Sequence, residues 1–385
     1  MNNNQLPLTS FKKLPTPFYY YDTALLRQTI QSLQQETNKH NIEVHYAVKA
    51  NANDRILGII ANTGCGADCV SGNEIKAAIK AGFPSSKIVF AGVGKDDWEI
   101  NIALDNDIFC FNCESIPEIE IINQLAKEKN KTASIALRIN PDVKADTHHY
   151  ITTGLSENKF GINLSDLEKV IKLVQTQSNI KLIGLHFHIG SQIKDMNNFV
   201  SLCKKINEIQ EFMLAQNVNI ENINVGGGLG IDYENPNENP IPNFAKYIEV
   251  FVKHIALRPN QRLHIEPGRS IVAQCGSLIA KVLYVKEGTN TKFAILNAGM
   301  TELIRPALYQ AYHFIENLSS EEENETYDIV GPICESSDVF AKGMQINKVK
   351  RGDLIALRSA GAYGEVMASQ YNLRQLPNVF LTEDL

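Results

Sequence analysis

The sequence lacks a basic run: 37 Lys and Arg are scattered among 43 Asp and Glu over 385 residues, leaving a formal charge of −6. Without such a run there is no electrostatic footprint for nucleic acid or for an anionic membrane surface, and neither partner is expected. No apolar stretch reaches the roughly 18 residues that cross a bilayer. Met1 to Ser10 lacks the charged-then-apolar layout of a secretory signal, so the expected address is the cytoplasm. Cysteine is sparse and odd in number, at seven, which argues against a disulfide framework and predicts mostly free thiols. Low complexity is missing as well: 44% hydrophobic and 21% charged residues describe an ordinary folded protein. At about 150 residues per domain, this length predicts two or three domains.

From residue 42 onward a short run rich in Val and Ile is repeatedly followed by a polar-capped amphipathic stretch, the pattern of β/α units. The strand candidates are Glu43 to Val48, Gly66 to Val70, Ile88 to Ala91, Ile108 to Asn112, Ser134 to Ile139, Leu182 to His188, Asn222 to Val225 and Arg262 to Glu266. Eight evenly spaced runs predict an α/β fold with a closed parallel (β/α)8 TIM-type barrel over residues 24–267. After the sixth run Phe199, Leu202, Cys203, Ile206, Ile209 and Met213 recur at helical spacing. Beyond Pro267 the texture changes to short strands, Ser277 to Val285, Lys292 to Leu296, Tyr327 to Val330 and Asp353 to Arg358, separated by Gly and polar turns. A mainly β domain, a barrel or sandwich, is therefore expected over 268–385, joined by the early strand Pro17 to Tyr21 ahead of a helix at Ala24 to Glu36. The acidic patch Glu321 to Glu325 reads as a solvated loop.

A parallel barrel does its chemistry at the carboxyl ends of its strands. The first run ends in Val48-Lys49-Ala50-Asn51, and a partly desolvated Lys there can attack a carbonyl to form a Schiff base, although a surface Lys is the plainer reading of that run alone. Following the seventh run, Gly226-Gly227-Gly228 can bring backbone N–H groups onto a phosphate. The eighth ends in Glu266-Pro267-Gly268-Arg269, a carboxylate and a guanidinium that could also simply pair. Together, a Lys, a glycine cradle and a carboxylate are what pyridoxal phosphate needs: an imine partner, a phosphate site and a group that keeps the pyridine nitrogen protonated. His186 and His188 close the sixth run and share a face at i, i+2. Such a pair admits a rival, a barrel metallohydrolase, but no further His and Asp strand ends complete its site, so no metal is expected. The reading adopted gives His188 the functional imidazole and makes His186 a packed barrel residue. Cys110 and Cys113 lie in one apparent strand without a second pair at zinc-ribbon spacing and read as buried thiols.

The motifs YAVKAN at 46–51, SENKFGIN at 156–163, HFHIGSQI at 186–193, GGGLGI at 226–231, EPGRSIVA at 266–273, IRPALY at 304–309, CES at 334–336 and GAYGEVMASQYN at 361–372 resemble those of the diaminopimelate decarboxylases, in order, over nearly the whole chain. The resemblance implies an alanine-racemase-type barrel carrying pyridoxal 5'-phosphate, a C-terminal β domain and a homodimer with shared active sites. It implies that Lys49 holds the cofactor with Asp68 nearby, that His188 stacks on the ring, and that Ser191 and Gly226 to Gly228 bind the phosphate. Glu266 faces the pyridine nitrogen on this reading, with Gly268, Arg269 and Tyr363 also in the cofactor site. Cys334 resembles the proton donor that each subunit lends its partner, together with Glu335.

The reaction implied is decarboxylation of meso-2,6-diaminoheptanedioate to L-lysine and CO2, the last step of lysine biosynthesis. Arg269, Arg305 and Tyr309 match positions that receive the substrate's distal carboxylate, Glu335 the one that receives its distal ammonium, and Tyr363 closes on both cofactor and substrate. A guanidinium binds carboxylate bidentately, a contact that ornithine cannot satisfy at its far end. The alternatives are a related barrel decarboxylase acting on ornithine, arginine or carboxynorspermidine and, more distantly, a non-catalytic pyridoxal-phosphate carrier or the metallohydrolase. Asn73, Asn158 and Ser337 depart from the family's usual residues; Asn73 stands where Gly is common, and Asn tolerates a left-handed turn.

Overall fold

Eight short segments build a barrel, each largely buried but with polar residues such as His45, Asp68, Asn112, Asn224 and His264 set among the apolar ones. The structure, a computed structural model describing residues 6–143 and 159–385, begins with β1 (Phe18–Tyr21). The barrel strands follow: β2 (Glu43–Ala47), β3 (Gly66–Cys69), β4 (Ile88–Phe90), β5 (Cys110–Cys113), β6 (Ala133–Arg138), β7 (Ile180–His186), β8 (Asn222–Asn224) and β9 (Arg262–Ile265). Each pairs in parallel with the next, and β2 also pairs with β9, so the sheet closes. All eight predicted runs are strands. Asn158 lies outside the described residues.

Local chemistry starts and stops the crossover helices. Ser71 caps Gly72–Ala81 by accepting from the Glu74 N–H at 3.1 Å, and Gly82, at φ +100°, ends it. Ser115 and the following Pro start Ile116–Glu128. Met196–Ala215 buries all six residues of the predicted stripe. Asn73 sits inside a regular helix rather than in a left-handed turn, so the expected backbone accommodation is not needed there.

The chain divides into two compact units, one made of Ile30–Gly230 and Asn243–Gly268, the other of Met1–Thr29, Ile231–Pro242 and Arg269–Leu385. The second unit contains β10 (Gly276–Glu287), β11 (Lys292–Leu296), β12 (Ile315–Asn317), β13 (Asn324–Val330), β14 (Val339–Asn347), β15 (Leu354–Leu357) and β16 (Asn378–Leu381), in the order β12-β15-β10-β11-β13-β14. β1 joins this sheet between β10 and β16. Phe11, Phe18, Tyr20, Ile279, Leu354 and Ala356 form a core beneath it. The acidic patch is not wholly a loop, because β13 begins at Asn324 and Glu325 accepts from Lys292 at 3.0 Å.

Candidate active site

In the barrel unit, the predicted chemistry sits just beyond the strand ends rather than on them. Lys49 lies in the single 3-10 turn Val48–Ala50 that follows β2, and its Nζ bonds the carboxylate of Asp68 on β3. Asp68 is buried, and its other oxygen, Oδ1, has no hydrogen-bond partner among the described residues. Burial, and the charge of Glu266, push the Asp68 carboxyl up to about 6, while Lys49 opposes them.

Glu266 follows β9. Its Oε1 accepts from Asn224 Nδ2 at 2.7 Å and from Asn112 Nδ2 at 3.3 Å, and its Oε2 accepts from His186 Nε2 at 2.9 Å. Burial alone would raise this carboxyl, but His186 and then Lys49 hold it well below the usual range. Glu266 is therefore an ionised acceptor deep in the barrel, which is what a group facing a pyridine nitrogen must be. His186 is expected from the sequence to be packing; it is buried in the barrel and also bonds Glu266, and β7 stops at this residue. For the same reason His186 and His188 are not an i, i+2 pair on one strand face. His188 instead lies in the loop after β7, where its Nδ1 accepts from the Gly227 N–H at 3.4 Å. Burial, with Arg138 and Lys49 nearby, drops its pKa to about 3, so the ring is neutral and flat-faced rather than cationic.

The glycine run is built for close approach. A Cβ on Gly226, at φ +71°, would meet the Phe187 carbonyl oxygen at 2.3 Å, and one on Gly227 would meet the Glu266 carbonyl oxygen at 2.2 Å. Gly228 is likewise left-handed, and its carbonyl accepts from Ile193 in the loop that carries Ser191. A Cβ on Gly268 would stand 3.0 Å from the β-carbons of Ala47 and Ala50, either side of Lys49, and the Ala47 N–H donates to the Pro267 carbonyl at 3.1 Å. The lysine-bearing turn and the Glu266 turn thus brace each other. A side-chain-free cradle, an ionised carboxylate and a lysine at one end of one barrel fit pyridoxal phosphate.

The second unit holds a separate cluster. Arg269 opens the turn Arg269–Val272 and donates from Nη1 to Tyr233 Oη at 2.6 Å, while Arg305 Nη1 donates to His313 Nε2 at 2.9 Å. Arg269, Arg305, Tyr233 and His313 are all buried. Tyr309 lies in the same short helix as Arg305, and Arg269 stacks on the ring of Tyr363 at 4.9 Å. Tyr363 is held at φ +56°, a left-handed conformation that costs roughly 1–2 kcal/mol in a residue with a Cβ. Elsewhere in this unit Cys334 and Glu335 are exposed, whereas the other six cysteines, Cys110 and Cys113 included, are buried. The Cys334 N–H donates to Asn372 Oδ1 at 3.0 Å and Tyr371 donates to Glu335 at 3.1 Å, which fixes this loop at the surface.

Sequence reasoning missed Asn112, Asn224, Tyr233 and His313. The two asparagines lie at strand ends, the positions that were read for Lys49 and Glu266, and the same rule would have found them. Tyr233 and His313 carry no local signal.

These features define a pyridoxal-dependent decarboxylase: the family model for the pyridoxal binding domain of pyridoxal-dependent decarboxylases matches residues 23–273. The chain is 62% identical over 380 residues to diaminopimelate decarboxylase of Bacteroides thetaiotaomicron, covering 98% of both chains. It is 43% identical to that of Neisseria meningitidis serogroup B, over 93% of this chain and 86% of the relative. Among solved structures, Helicobacter pylori diaminopimelate decarboxylase complexed with L-lysine superposes with a TM-score of 0.93 at 38% identity, covering 98% of this chain and 94% of that one. The chain belongs to the diaminopimelate decarboxylase family and is a pyridoxal-phosphate-dependent carboxy-lyase.

Proposed function

We propose that this chain converts meso-2,6-diaminoheptanedioate to L-lysine and CO2, with Lys49 holding the cofactor and Glu266 facing its pyridine nitrogen. The observation that carries the substrate choice is the buried pair Arg269 and Arg305, a concentration of positive charge suited to a carboxylate and hostile to the cationic tail of ornithine or arginine. Asp68 keeps Lys49 in place, His188 offers a neutral ring to stack on, and Ser191 with Gly226 to Gly228 receives the phosphate. When bound, pyridoxal phosphate supplies the electron sink that makes loss of CO2 possible. Glu266, ionised and hydrogen-bonded by Asn112, Asn224 and His186, keeps that sink protonated.

The protein works in this account as a homodimer in the cytoplasm, each subunit lending Cys334 and Glu335 to the other. The exposure of both residues in the single chain supports this, as does Leu373, 96% exposed in the neighbouring segment, because a proton donor for a selective reaction has to be shielded from bulk water. Cys334 delivers its thiol proton to the carbon that lost CO2, Glu335 takes the distal ammonium, and Arg269, Arg305, Tyr309 and Tyr363 take the distal carboxylate end. No helix among the described residues is long and apolar enough to cross a membrane. The test is a substrate panel on the cofactor-loaded enzyme. kcat/KM for meso-diaminopimelate should exceed that for L-ornithine, L-arginine and carboxynorspermidine by about 10^4 or more, since the wrong tail leaves buried guanidinium groups unmatched. A preference for any of the three would overturn the substrate assignment.

A further inference from the structure

Two arginines buried close together repel each other and have many rotamers, so something must aim them. Here the aiming groups are on the page. Tyr233 Oη accepts from Arg269 Nη1 at 2.6 Å and is hydrogen-bonded by Arg305 as well. Its ring lies under both guanidinium groups, with centroid distances of 5.9 Å to Arg269 and 5.1 Å to Arg305. His313 packs edge-on against that ring, at 5.3 Å, and receives Arg305 Nη1 at 2.9 Å.

The tautomer of His313 follows from its neighbours. A guanidinium has donors only, so Nε2 must be the unprotonated nitrogen, and the proton sits on Nδ1, which donates to the Arg358 carbonyl at 2.9 Å. His313 is thus a neutral acceptor, locked from both sides. Burial and then the charge of Arg305 agree, pushing its pKa to about 3. Burial alone would raise the Tyr233 phenol, but Arg269 and Arg305 together draw it below its ordinary value. Both acceptors orient a guanidinium without the full counter-charge that an Asp or Glu would bring, and so leave positive charge for an incoming anion.

We propose that Tyr233 and His313 are positioning residues that set substrate specificity by holding Arg269 and Arg305 in the arrangement that receives the distal carboxylate. This inference rests on the proposed substrate and adds two residues to its recognition. Tyr233→Phe keeps the ring and removes the oxygen; His313→Leu removes the acceptor, and His313→Gln returns one.

With cofactor-loaded protein, Tyr233→Phe and His313→Leu should each raise KM for meso-diaminopimelate about tenfold, equivalent to about 1.4 kcal/mol. kcat should stay within about twofold, because the interaction is made equally in ground and transition states. The affinity for L-lysine, which retains the distal carboxylate, should fall by the same factor in calorimetry, pyridoxal phosphate should bind as in the parent, and His313→Gln should recover most of the loss. Unchanged KM and lysine affinity in Tyr233→Phe and His313→Leu would overturn the proposal. So would a joint fall of kcat, lysine affinity and cofactor binding that His313→Gln does not repair, the mark of a merely structural role. If Tyr233→Phe does not fold, the two His313 variants decide by the same criteria. A parent enzyme that neither turns over meso-diaminopimelate nor binds lysine would refute the substrate reading itself, and this inference with it.

Discussion

Replacing Gly227 by Ala should separate cofactor binding from folding. The added Cβ would stand 2.2 Å from the Glu266 carbonyl oxygen and 3.1 Å from its carbonyl carbon, both backbone atoms that cannot rotate away. Relief to an ordinary contact needs a movement of about 1 Å, and overpacking of this kind costs roughly 1–3 kcal/mol. Gly227 is not left-handed, so the cost is steric rather than conformational. The loop can move only by pulling the glycine run off the Glu266 turn, which disturbs the proposed phosphate cradle and the carboxylate together. If the apo chain relaxes by that movement, the cost appears when the cradle must re-form, and the Kd for pyridoxal phosphate rises about tenfold to a hundredfold. If it does not relax, the same energy appears as lost stability. Fluorescence titration of the apo protein with pyridoxal phosphate and urea unfolding of the same sample together measure both parts. Gly58→Ala is the control: its site in the helix Asp54–Ala61 is open, with nothing within 4 Å, and it should bind the cofactor normally and be unchanged or slightly stabilised. Gly227→Ala with parental cofactor affinity and parental stability would refute the reasoning that the cradle is sterically set.

Further outcomes follow from the same geometry. Lys49→Ala and Cys334→Ala should each be inactive alone, yet a mixture unfolded and refolded together should regain about a quarter of parental activity, since half the random dimers contain one intact site of two; no recovery would count against shared sites. Glu266→Gln keeps the shape but removes the charge, and should lower kcat about a hundredfold or more while pyridoxal phosphate still binds; parental kcat would show that the ionised state is unimportant. His313 has a folded pKa near 3, below its value of about 6.5 in the unfolded chain. The unfolded state therefore takes up its proton first, and stability is lost as pH falls from about 6.5 toward 3, by up to about 1.4 kcal/mol per pH unit. His313→Gln should flatten the pH dependence of unfolding free energy by that slope between pH 7 and 5, and an unaltered slope would show that His313 is already charged in the fold.

Much of the barrel was legible because short strand-like runs recur at even spacing between amphipathic stretches, and all eight runs are strands even where polar residues such as His45, Asn222, Asn224 and His264 interrupt the apolar pattern. The second unit was harder. β14 reads Val-Phe-Ala-Lys-Gly-Met-Gln-Ile-Asn with several exposed positions and a left-handed Gly343, and β12 and β16 are short strands outside the regular β/α alternation that marked the equally short barrel strands. Within the site, Lys49, Glu266 and the glycine run announced themselves by position and type, whereas Asp68 came only from the family resemblance. The role of His186 did not announce itself, because nothing local shows that its imidazole meets Glu266, eighty residues further on; the i, i+2 spacing to His188 fails as well, since β7 ends at His186. Tyr233 and His313 stand eighty residues apart, and only the fold brings a phenol and an imidazole onto the same pair of arginines.

The central claim is that Lys49 and pyridoxal phosphate together remove one carboxyl group from meso-diaminopimelate. The most direct measurement loads the purified chain with the cofactor, adds that substrate, and counts CO2 and L-lysine against time for the parent and for Lys49→Ala. The account predicts equimolar release from the parent and a fall of roughly a thousandfold or more in the variant. Release that survives Lys49→Ala, or a parent that yields no lysine from meso-diaminopimelate, would contradict it.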